Sequence, residues 1–304
     1  ELQMPFFQDS ETAFQLYRTG GLDIMGSQQN GVPAARLAEV SDLPDFRAAS
    51  SFAVRYIGFN NMLPPFDNVK VRQAFARAID KQALATKVLG GSVRPSDRIL
   101  PGGLPGSELP IKGLTFDAAA AKQLLADAGF ANGKGLPPIA FSYGVEGDNE
   151  RVVTFLQEQW KQNLGVQITL EPLELATFSE RLNTTYQHPE QGIQMYFSIW
   201  GADYPDPQNF ISQQLRTDVG NNNGHWSNAA FDKLVDEADV IVGNDSKRMT
   251  LYNQAEQLAV DEVGWLPLFN PTLNVLMRPY VSGFVFTGQG ITVPDWSAVR
   301  GKTQ

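Results

Sequence analysis

The segment from residue 139 to residue 170 constrains the fold most, because its hydrophobic period changes twice. Ile139, Phe141 and Tyr143 alternate with small residues, and a second alternating run follows Gly165 and ends at Leu170, as in two strands. Between these runs the apolar residues recur at helical spacing, namely Val152, Phe155, Leu156 and Trp160. A strand, a helix and a strand within about thirty residues predict a βαβ unit, and therefore an α/β fold with an at least partly parallel sheet.

Further strands and helices are predicted on both sides of this unit. Alternation predicts strands within 51–61, 193–200 and 273–277, and residues 92–115 are a long loop rich in Pro, Gly and Ser. Apolar stripes predict helices at 69–89 in two pieces with Asp80 capping the second, at 117–128 between Asp117 as cap and Gly129, at 175–186, at 231–241, and at 245–258 with Asp245 as cap. The first fifty and the last forty residues contain too few predicted elements to close a domain by themselves.

Composition excludes several classes of protein. The 33 acidic residues against 24 basic ones give a net charge of −9, so we expect no nucleic-acid partner. The absence of Cys excludes disulfides, thiolate metal sites and Cys nucleophiles. No run of apolar residues is long enough to predict a membrane span. The chain starts at Glu1 without an initiator Met or an apolar leader, so we expect a processing site or a truncated start, with any targeting signal outside it.

The sequence offers few parts for catalysis. Asp203 and Asp206 could divide the roles of acid and base, but an Asp in a Pro-rich turn more often caps backbone N–H groups. His188 and His225 are far apart and lack ligand-like neighbours, so we expect no metal site. No glycine-rich phosphate loop and no nucleophile elbow is present. We therefore expect that the protein is not an enzyme and needs no cofactor.

Asp203 is the residue most suggestive of a binding site. It directly follows the end of a predicted strand, which is where open α/β sheets bind ligands, and Trp200 and Tyr204 flank it. An acid beside two aromatic rings suits an ammonium group, through charge attraction and cation–π contact. The alternative interpretation is that both aromatic residues belong to the core and that Asp203 caps a turn.

Several motifs, in a fixed order along the chain, resemble one known family. They are residues 56–60 (Tyr-Ile-Gly-Phe-Asn), 65–74 (Pro-Phe-Asp-Asn-Val-Lys-Val-Arg-Gln-Ala), 78–81 (Ala-Ile-Asp-Lys), Phe116-Asp117 with 121–130, 200–207 (Trp-Gly-Ala-Asp-Tyr-Pro-Asp-Pro), and 252 onward to 265–268 (Trp-Leu-Pro-Leu). This combination resembles the peptide/nickel class of extracytoplasmic solute-binding proteins of ABC transporters. The resemblance extends over nearly the whole chain from Gly20.

The resemblance implies a fold of the periplasmic-binding-protein-like type II, peptide-binding class. In that family two lobes form a clamp, and the second lobe is inserted between two parts of the first. Residues 57–267 would then be a complete second lobe, and residues 1–56 and 268–304 parts of the first lobe, with the family's upstream residues missing. Asn60 and Asn270, near the expected crossover strands, are predicted hinge residues.

The resemblance also implies a ligand and partners. An Asp in the motif of residues 200–204 pairs with the peptide α-amino group, which makes Asp203 the expected partner, with Trp200 and Gly201 along the ligand main chain and Tyr204 beside it. The implied function is to capture di- or oligopeptides and deliver them to a membrane permease, outside the cytoplasmic membrane. The implied attachment to that membrane is a lipid anchor that this chain lacks. Binding of an oligosaccharide or a nickel chelate, and a core fragment that binds nothing, are the alternatives.

Overall fold

A computed structural model describes residues 3–7, 9–26, 31–243, 245–293 and 295–301. Its strands are β1 Ile24–Met25, β2 Phe46–Ser50, β3 Ala53–Phe59, β4 Val93–Pro95, β5 Ile139–Gly144, β6 Ile168–Leu173, β7 Met195–Gly201, β8 Leu266–Met277, β9 Val285–Thr287 and β10 Gly290–Thr292. Its α-helices are α1 Ser10–Arg18, α2 Leu37–Val40, α3 Val69–Arg77, α4 Lys81–Ala83, α5 Ala118–Asp127, α6 Asn149–Leu164, α7 Leu175–Gln187, α8 Ser212–Leu215, α9 Ala229–Asp239 and α10 Asp245–Asp261. Short 3₁₀ turns lie at Ala34–Arg36, Ala131–Gly133, Pro189–Gln191, Pro207–Asn209 and Trp296–Ala298, and a π turn at Leu84–Val88.

The principal sheet is mixed, as the sequence predicted. Its strands lie in the order β1-β8-β3-β7-β5-β6, and β2 and β4 also pair with β8. Strand β5 is parallel to both β6 and β7, whereas β3 is antiparallel to β7 and β8. The predicted βαβ unit is confirmed as β5, α6 and β6. Strands β9 and β10 form a separate two-stranded sheet.

Two apolar clusters cover the two faces of this sheet. Along β3, Ile57 and Phe59 belong to the cluster that packs under α3, α5 and α6, whereas Val54 and Tyr56 belong to the cluster under α9 and α10. This separation follows from the two-residue period of a strand, which sends successive side chains to opposite faces. Tyr56 stacks on Trp265 with ring centres 3.7 Å apart. A third, smaller cluster joins α1 to the far end of β8.

Strand β8 connects two groups of strands. Its first residues pair with β3, while residues 272–276 pair with β2, so that β2 and β3 lie end to end along one partner. The change of partner falls at Ser51 and Phe52 on one side and at Asn270 and Pro271 on the other. Ser51 donates its N–H to the carbonyl of Pro271 at 2.8 Å. We call residues 51–52 and 270–271 the crossover. It lies a few residues before residue 57 and after residue 267, the lobe boundaries expected from the sequence.

Local signals in the sequence account for most helix ends. Asp80 and Asp117 accept hydrogen bonds from Ala83 N and Ala120 N, as expected of N-caps. Gly129 and Gly165 follow helices with φ of +93° and +71°, the left-handed conformation that glycine adopts without strain.

Two expectations about the elements need correction, and the first fifty residues contain elements that were not predicted. Helix α10 begins at Asp245 itself, so this carboxylate lies in the first helical turn, where the helix dipole favours it, rather than at the cap. The strand predicted at 273–277 is only the second part of a longer strand, β8, which begins at Leu266 and has twelve residues. The elements that were not predicted there are α1, β1, α2 and β2. The two strands were missed because they are short and depend on β8 for their pairing.

Candidate functional site

The carboxyl ends of β5, β6 and β7 meet at one edge of the sheet, together with the beginning of β3. This follows from the parallel pairing of β5 with β6 and β7 and the antiparallel pairing of β3 with β7. The crossover lies at the same edge, because Ala53 immediately follows it. We call this edge the ligand edge. It is the part of an open α/β sheet at which ligands commonly bind.

Strand β7 extends beyond its neighbour β5 at the ligand edge. The pairing with β5 ends at Phe197, opposite Tyr143, whereas the pairing with β3 continues to Gly201. Ala202 donates its N–H to Phe52 O at 2.8 Å, on the β3 side. Because peptide groups alternate in direction along a strand, those of Ile199 and Gly201 point to the opposite side, where β5 has ended. Three residues of β7, Ile199 to Gly201, thus present an open strand edge.

Asp203 follows this open edge and is held in place by one buried amide. The side chain of Asn209, 2% exposed, accepts from Asp203 N at 3.0 Å and donates to Asp203 Oδ2 at 3.2 Å. The same amide oxygen accepts from Trp200 Nε1 at 3.3 Å. Asp203 itself is exposed, and its Oδ1 accepts no hydrogen bond from the residues that the structure describes. The carboxylate is therefore fixed at one oxygen and open to solvent at the other.

The two aromatic residues beside Asp203 differ in exposure. Trp200 is half-buried against the cluster under α9 and α10. Tyr204 is exposed, and its hydroxyl donates to Gln208 Oε1 at 3.1 Å. Gly201 leaves the edge open, because a Cβ there would meet only Ala53 Cβ, at 3.9 Å. The structure thus brings all four predicted ligand residues, Trp200, Gly201, Asp203 and Tyr204, to the ligand edge.

Asp206 has a structural environment. It accepts from Gln208 N at 2.9 Å, the turn-capping role expected of such an Asp, and forms a two-pronged ion pair with Arg248 at 2.7 Å for each oxygen. Burial alone raises the pKa of Asp206, but the hydrogen bonds from Arg248 and from Gln208 N outweigh it, so the pKa lies below its usual range. The Arg248 guanidinium also lies over the ring of Tyr252, 4.9 Å from its centre. A carboxylate engaged in this way is a poor proton donor or acceptor for catalysis.

Sequence comparison agrees with this architecture. A model of bacterial extracellular solute-binding proteins, family 5 Middle, matches residues 1–222. The chain belongs to this family. It is 31% identical over 287 residues to the probable deoxycholate-binding periplasmic protein YgiS of Escherichia coli, covering 91% of this chain and 50% of that protein. It is 30% identical over 280 residues to the periplasmic oligopeptide-binding protein OppA of Salmonella typhimurium, covering 88% of this chain and 48% of that protein.

Solved structures of periplasmic oligopeptide-binding proteins share the fold. A periplasmic oligopeptide-binding protein of Borrelia burgdorferi, OppAIV, superposes with a TM-score of 0.75 at 28% identity, covering 94% of this chain and 57% of that one. The resemblance stated from the motifs is therefore confirmed, as is the fold of the periplasmic-binding-protein-like type II, peptide-binding class. The chain spans about half the length of the curated relatives it matches.

The two predicted hinge residues of this family 5 chain lie in different places. Asn270 is buried at the crossover, and its Nδ2 donates to Ala53 O at 2.8 Å. Asn60 is buried at the opposite end of β3, away from the crossover, where its Nδ2 donates to Pro189 O at 2.8 Å. A role in hinge motion stays a prediction for both residues.

The histidines are not brought together. The ring of His225 stacks on Tyr186, and its Nε2 lies 3.1 Å from Thr185 O, whereas His188 ends α7. Among the described residues, no group of three or more His, Asp or Glu side chains is arranged to hold a metal ion. No helix among the same residues has the length and apolar character needed to cross a membrane.

Three side chains of the ligand edge were missed by sequence reasoning. They are Asn209, Arg248 and Arg55, the last of which is a cation in β3. Their contacts form only when separate elements pack together. No pattern in the sequence singles out Asn209 or Arg248, which lie within ordinary polar segments. The two-residue alternation of β3 could have drawn attention to Arg55, because this charged residue shares the apolar face of Ile57 and Phe59.

Proposed function

We propose that this chain is the ligand-binding part of an ABC importer's solute receptor, which captures a short extended peptide on the open edge of β7. The observation that carries the proposal is the stretch from Ile199 to Gly201 beside Asp203, which pairs with β3 but has no strand partner on its β5 side among the described residues. An extended peptide adds to such an edge as a further strand and gains main-chain hydrogen bonds whatever its side chains. This suits a receptor that accepts peptides of varied sequence.

Asp203 is the proposed partner of the peptide's α-amino group. Its free Oδ1 can accept a charge-assisted hydrogen bond from an ammonium group, while Asn209 keeps the carboxylate in one orientation. Tyr204 stands next to it with its ring exposed, where it can contact the cation. With its amino group at Asp203, the ligand would run toward Phe197, antiparallel to β7.

The surface around the open edge suits apolar ligand side chains. Three large apolar side chains are exposed there, from the loop after β5, the start of α7 and β7 itself: Val145, Leu175 and Ile199. Leu175 lies against the end of β5, since a Cβ on Gly144 would meet its Cδ2 at 2.6 Å. Apolar contacts of this kind add affinity without strong sequence selection.

The whole receptor is proposed to be a clamp of two lobes. We propose two lobes close to the bounds expected from the sequence, 1–56 with 268–304 and 57–267, but divided at the crossover. All of β3 then belongs to the second lobe, and the hinge lies beside Asn270 rather than at Asn60. The change of partner along β8 and the hydrogen bonds at Ser51 and Asn270 support this position. Closure on a ligand would follow from contacts that both lobes make with it.

We propose that the receptor works outside the cytoplasmic membrane, where a lipid anchor holds it. It binds its ligand without turnover and passes it to a membrane permease.

A second ligand class is suggested by a relative's name. YgiS is named as a probable deoxycholate-binding protein, and the exposed apolar side chains Val145, Leu175 and Ile199 could also contact a steroid. A steroid, however, has no main chain to use the peptide groups of Ile199 and Gly201. Peptide is therefore the favoured ligand, ahead of a steroid, an oligosaccharide or a nickel chelate.

The test compares tri-alanine with N-acetyl-tri-alanine by calorimetry on the full-length protein. We expect acetylation to weaken binding by roughly 100-fold, because it removes the charge that Asp203 pairs with. Asp203→Asn should weaken binding of tri-alanine similarly, and acetylation should then matter little, since both changes remove one contact. Asp127→Asn, an exposed residue at the end of α5, is the matched control and should bind as the wild type does. Tight binding of deoxycholate or an oligosaccharide with none of tri-alanine would contradict the proposal.

A further inference from the structure

A cavity of about 700 Å³ lies beside the crossover. Ser50, Phe52 and Asn270 line it on the side of the crossover, and β4 together with residues of the loop 96–111 completes its wall. We call it the crossover cavity. Small-molecule sites in proteins commonly have volumes of about 300–1,000 Å³. The crossover cavity is therefore large enough to hold a small ligand.

The crossover cavity is distinct from the ligand edge. Pro95 of β4 and Arg55 of β3 both lie opposite Phe269 of β8. Because a strand pairs along two edges, β4 and β3 flank β8 on opposite sides. Strands β8 and β3 therefore stand between β4 and the open edge of β7. A molecule bound against β4 leaves the proposed peptide position free.

Two of the three charged residues that line the crossover cavity are paired within the fold. Asp97 accepts from the buried Lys81 at 2.6 Å. Arg98 pairs at 2.5 Å with Glu256 of α10, which is buried and also accepts from the N–H groups of residues 99–100 at 2.8 Å each. These contacts fasten the start of the loop 96–111 to α4 and α10. This part of the wall is therefore fixed before any ligand arrives, and its charges are balanced.

Arg94 is the third charged residue of the lining. It lies in β4 opposite Asn270, and it is exposed. It forms no hydrogen bond or ion pair with any residue that the structure describes. A guanidinium binds a carboxylate through two parallel hydrogen bonds. Arg94 therefore places one available cation at the rim of the crossover cavity, and that cation suits a single carboxylate.

Much of the remaining wall is apolar and includes flat rings. It is formed by Phe52, Pro95, Leu109, Pro110 and Ile111. A Cβ on Gly103 would lie 3.1 Å from the Phe52 ring, so this ring packs against the loop. Flat apolar surfaces favour contact with an aromatic ring, which buries a large area at little cost in flexibility.

We propose that the crossover cavity is a second binding site, which takes a flat apolar molecule carrying one carboxylate, such as an aromatic acid. Arg94 pairs with the carboxylate at the rim, and the ring system packs on Phe52 and Ile111. The inference goes beyond the proposed function and does not depend on it, because neither Asp203 nor the open edge of β7 contributes to this cavity.

The experiment measures binding of naphthalene-2-carboxylate and naphthalene-2-carboxamide to the full-length protein by calorimetry. The two probes share one shape and differ in charge. In the wild type we expect the acid to bind about tenfold more tightly than the amide, because only the acid pairs with Arg94. In Arg94→Gln the acid should weaken by that factor and the difference between the probes should disappear. Arg94→Lys should recover part of it. Arg18→Gln, an exposed residue of α1 outside the cavity, is the matched control and should bind both probes as the wild type does.

Three further variants and probes locate the bound acid. Ile111→Ser should weaken the acid and the amide by the same factor, because it removes apolar contact and no charge. Asp203→Asn should leave the affinity for the acid unchanged, and Arg94→Gln should leave the affinity for tri-alanine unchanged. Loss of the acid in Asp203→Asn, or its displacement by saturating tri-alanine, would place it at the ligand edge and overturn the inference. So would failure of the full-length protein to bind the acid. Failure to bind tri-alanine alone would overturn the proposed function and leave this inference standing.

Discussion

The ion pair between Asp206 and Arg248 anchors the turn that follows Asp203, and its contribution can be measured. The two side chains are 30% and 16% exposed, so the pair is neither fully buried nor on the surface. Arg248 also donates to the hydroxyl of Tyr252, which in turn donates to Asp239 in α9. The pair thus ties the turn to α10 and, through Tyr252, to α9. We predict that it stabilises the fold measurably, unlike the exposed ion pairs of this protein.

The expected magnitude follows from the burial. Removing one partner of a fully buried pair costs about 3–5 kcal/mol, and an exposed pair contributes about 0–1 kcal/mol, so we expect Arg248→Met to cost about 2 kcal/mol. Asp206→Asn keeps an oxygen to accept from Gln208 N and should cost about 1–2 kcal/mol. The double variant should be less destabilised than the sum by about 1 kcal/mol, which is the coupling energy of the pair.

The same pair predicts a pH dependence with a definite sign. The pKa of Asp206 lies below its ordinary value of 3.8 in the folded protein, so the pair's stabilisation is present above about pH 4. It is lost as the pH falls through the lowered pKa, because the protonated acid no longer holds Arg248. The stability of Arg248→Met should therefore fall less steeply than that of the wild type on acidification below about pH 4.

Urea unfolding followed by tryptophan fluorescence measures all four corners of the double-mutant cycle. The matched control is the ion pair of Arg216 with Asp236, which has the same residue types and the same 2.7 Å contact but is 40% and 54% exposed. The cycle of Arg216→Met and Asp236→Asn should give a coupling below about 0.5 kcal/mol. If the two cycles give equal couplings, burial does not strengthen the Asp206 pair and the reasoning is refuted.

Two further predictions concern β3 and the turn after β7. Gly58→Ala should destabilise the folded protein by about 1–3 kcal/mol in urea unfolding, because the added Cβ would lie 2.1 Å from the buried ring of Tyr196. A value near zero would show that the ring moves aside. Asn209→Ala should weaken binding of tri-alanine about tenfold and shift the fluorescence of Trp200, since the substitution removes the hydrogen bonds to both Trp200 and Asp203. Unchanged affinity would show that Asn209 does not position the carboxylate.

The parts of the fold that the sequence predicted are those whose signals are local. The βαβ unit was predictable because β5, α6 and β6 each show the hydrophobic period of their own element, and because Gly165 marks the end of α6. Strands β1, β2 and β4 carry no such period, being two, five and three residues long. They exist because β8 offers twelve residues for pairing, and this partner is more than 170 residues away in sequence. Propensity over a short window does not contain that information.

The candidate site divides in the same way. Asp203 could be placed at the end of a strand from the sequence, because strand ends and turn residues are local features. The amide that orients it, Asn209, could not, since many polar residues in the neighbouring turn could equally have faced solvent. The contact of Arg55 with the Phe197 ring could not be predicted either, because it depends on the pairing of β3 with β7, which no local pattern shows.

The position of the crossover gives a physical reason to expect ligand binding and lobe movement to be coupled. Phe52 lies between β2 and β3, and its carbonyl accepts from Ala202 N, immediately before Asp203. The residue at which the chain passes between the two groups of strands is thus bonded to the turn that would hold the peptide's amino group. A change in the backbone angles at Ser51 and Phe52 would move this carbonyl, and with it the turn. The crossover and the ligand edge are thus joined by a hydrogen bond, so on the proposed function a ligand that fixes Asp203 would also limit the backbone angles at the crossover.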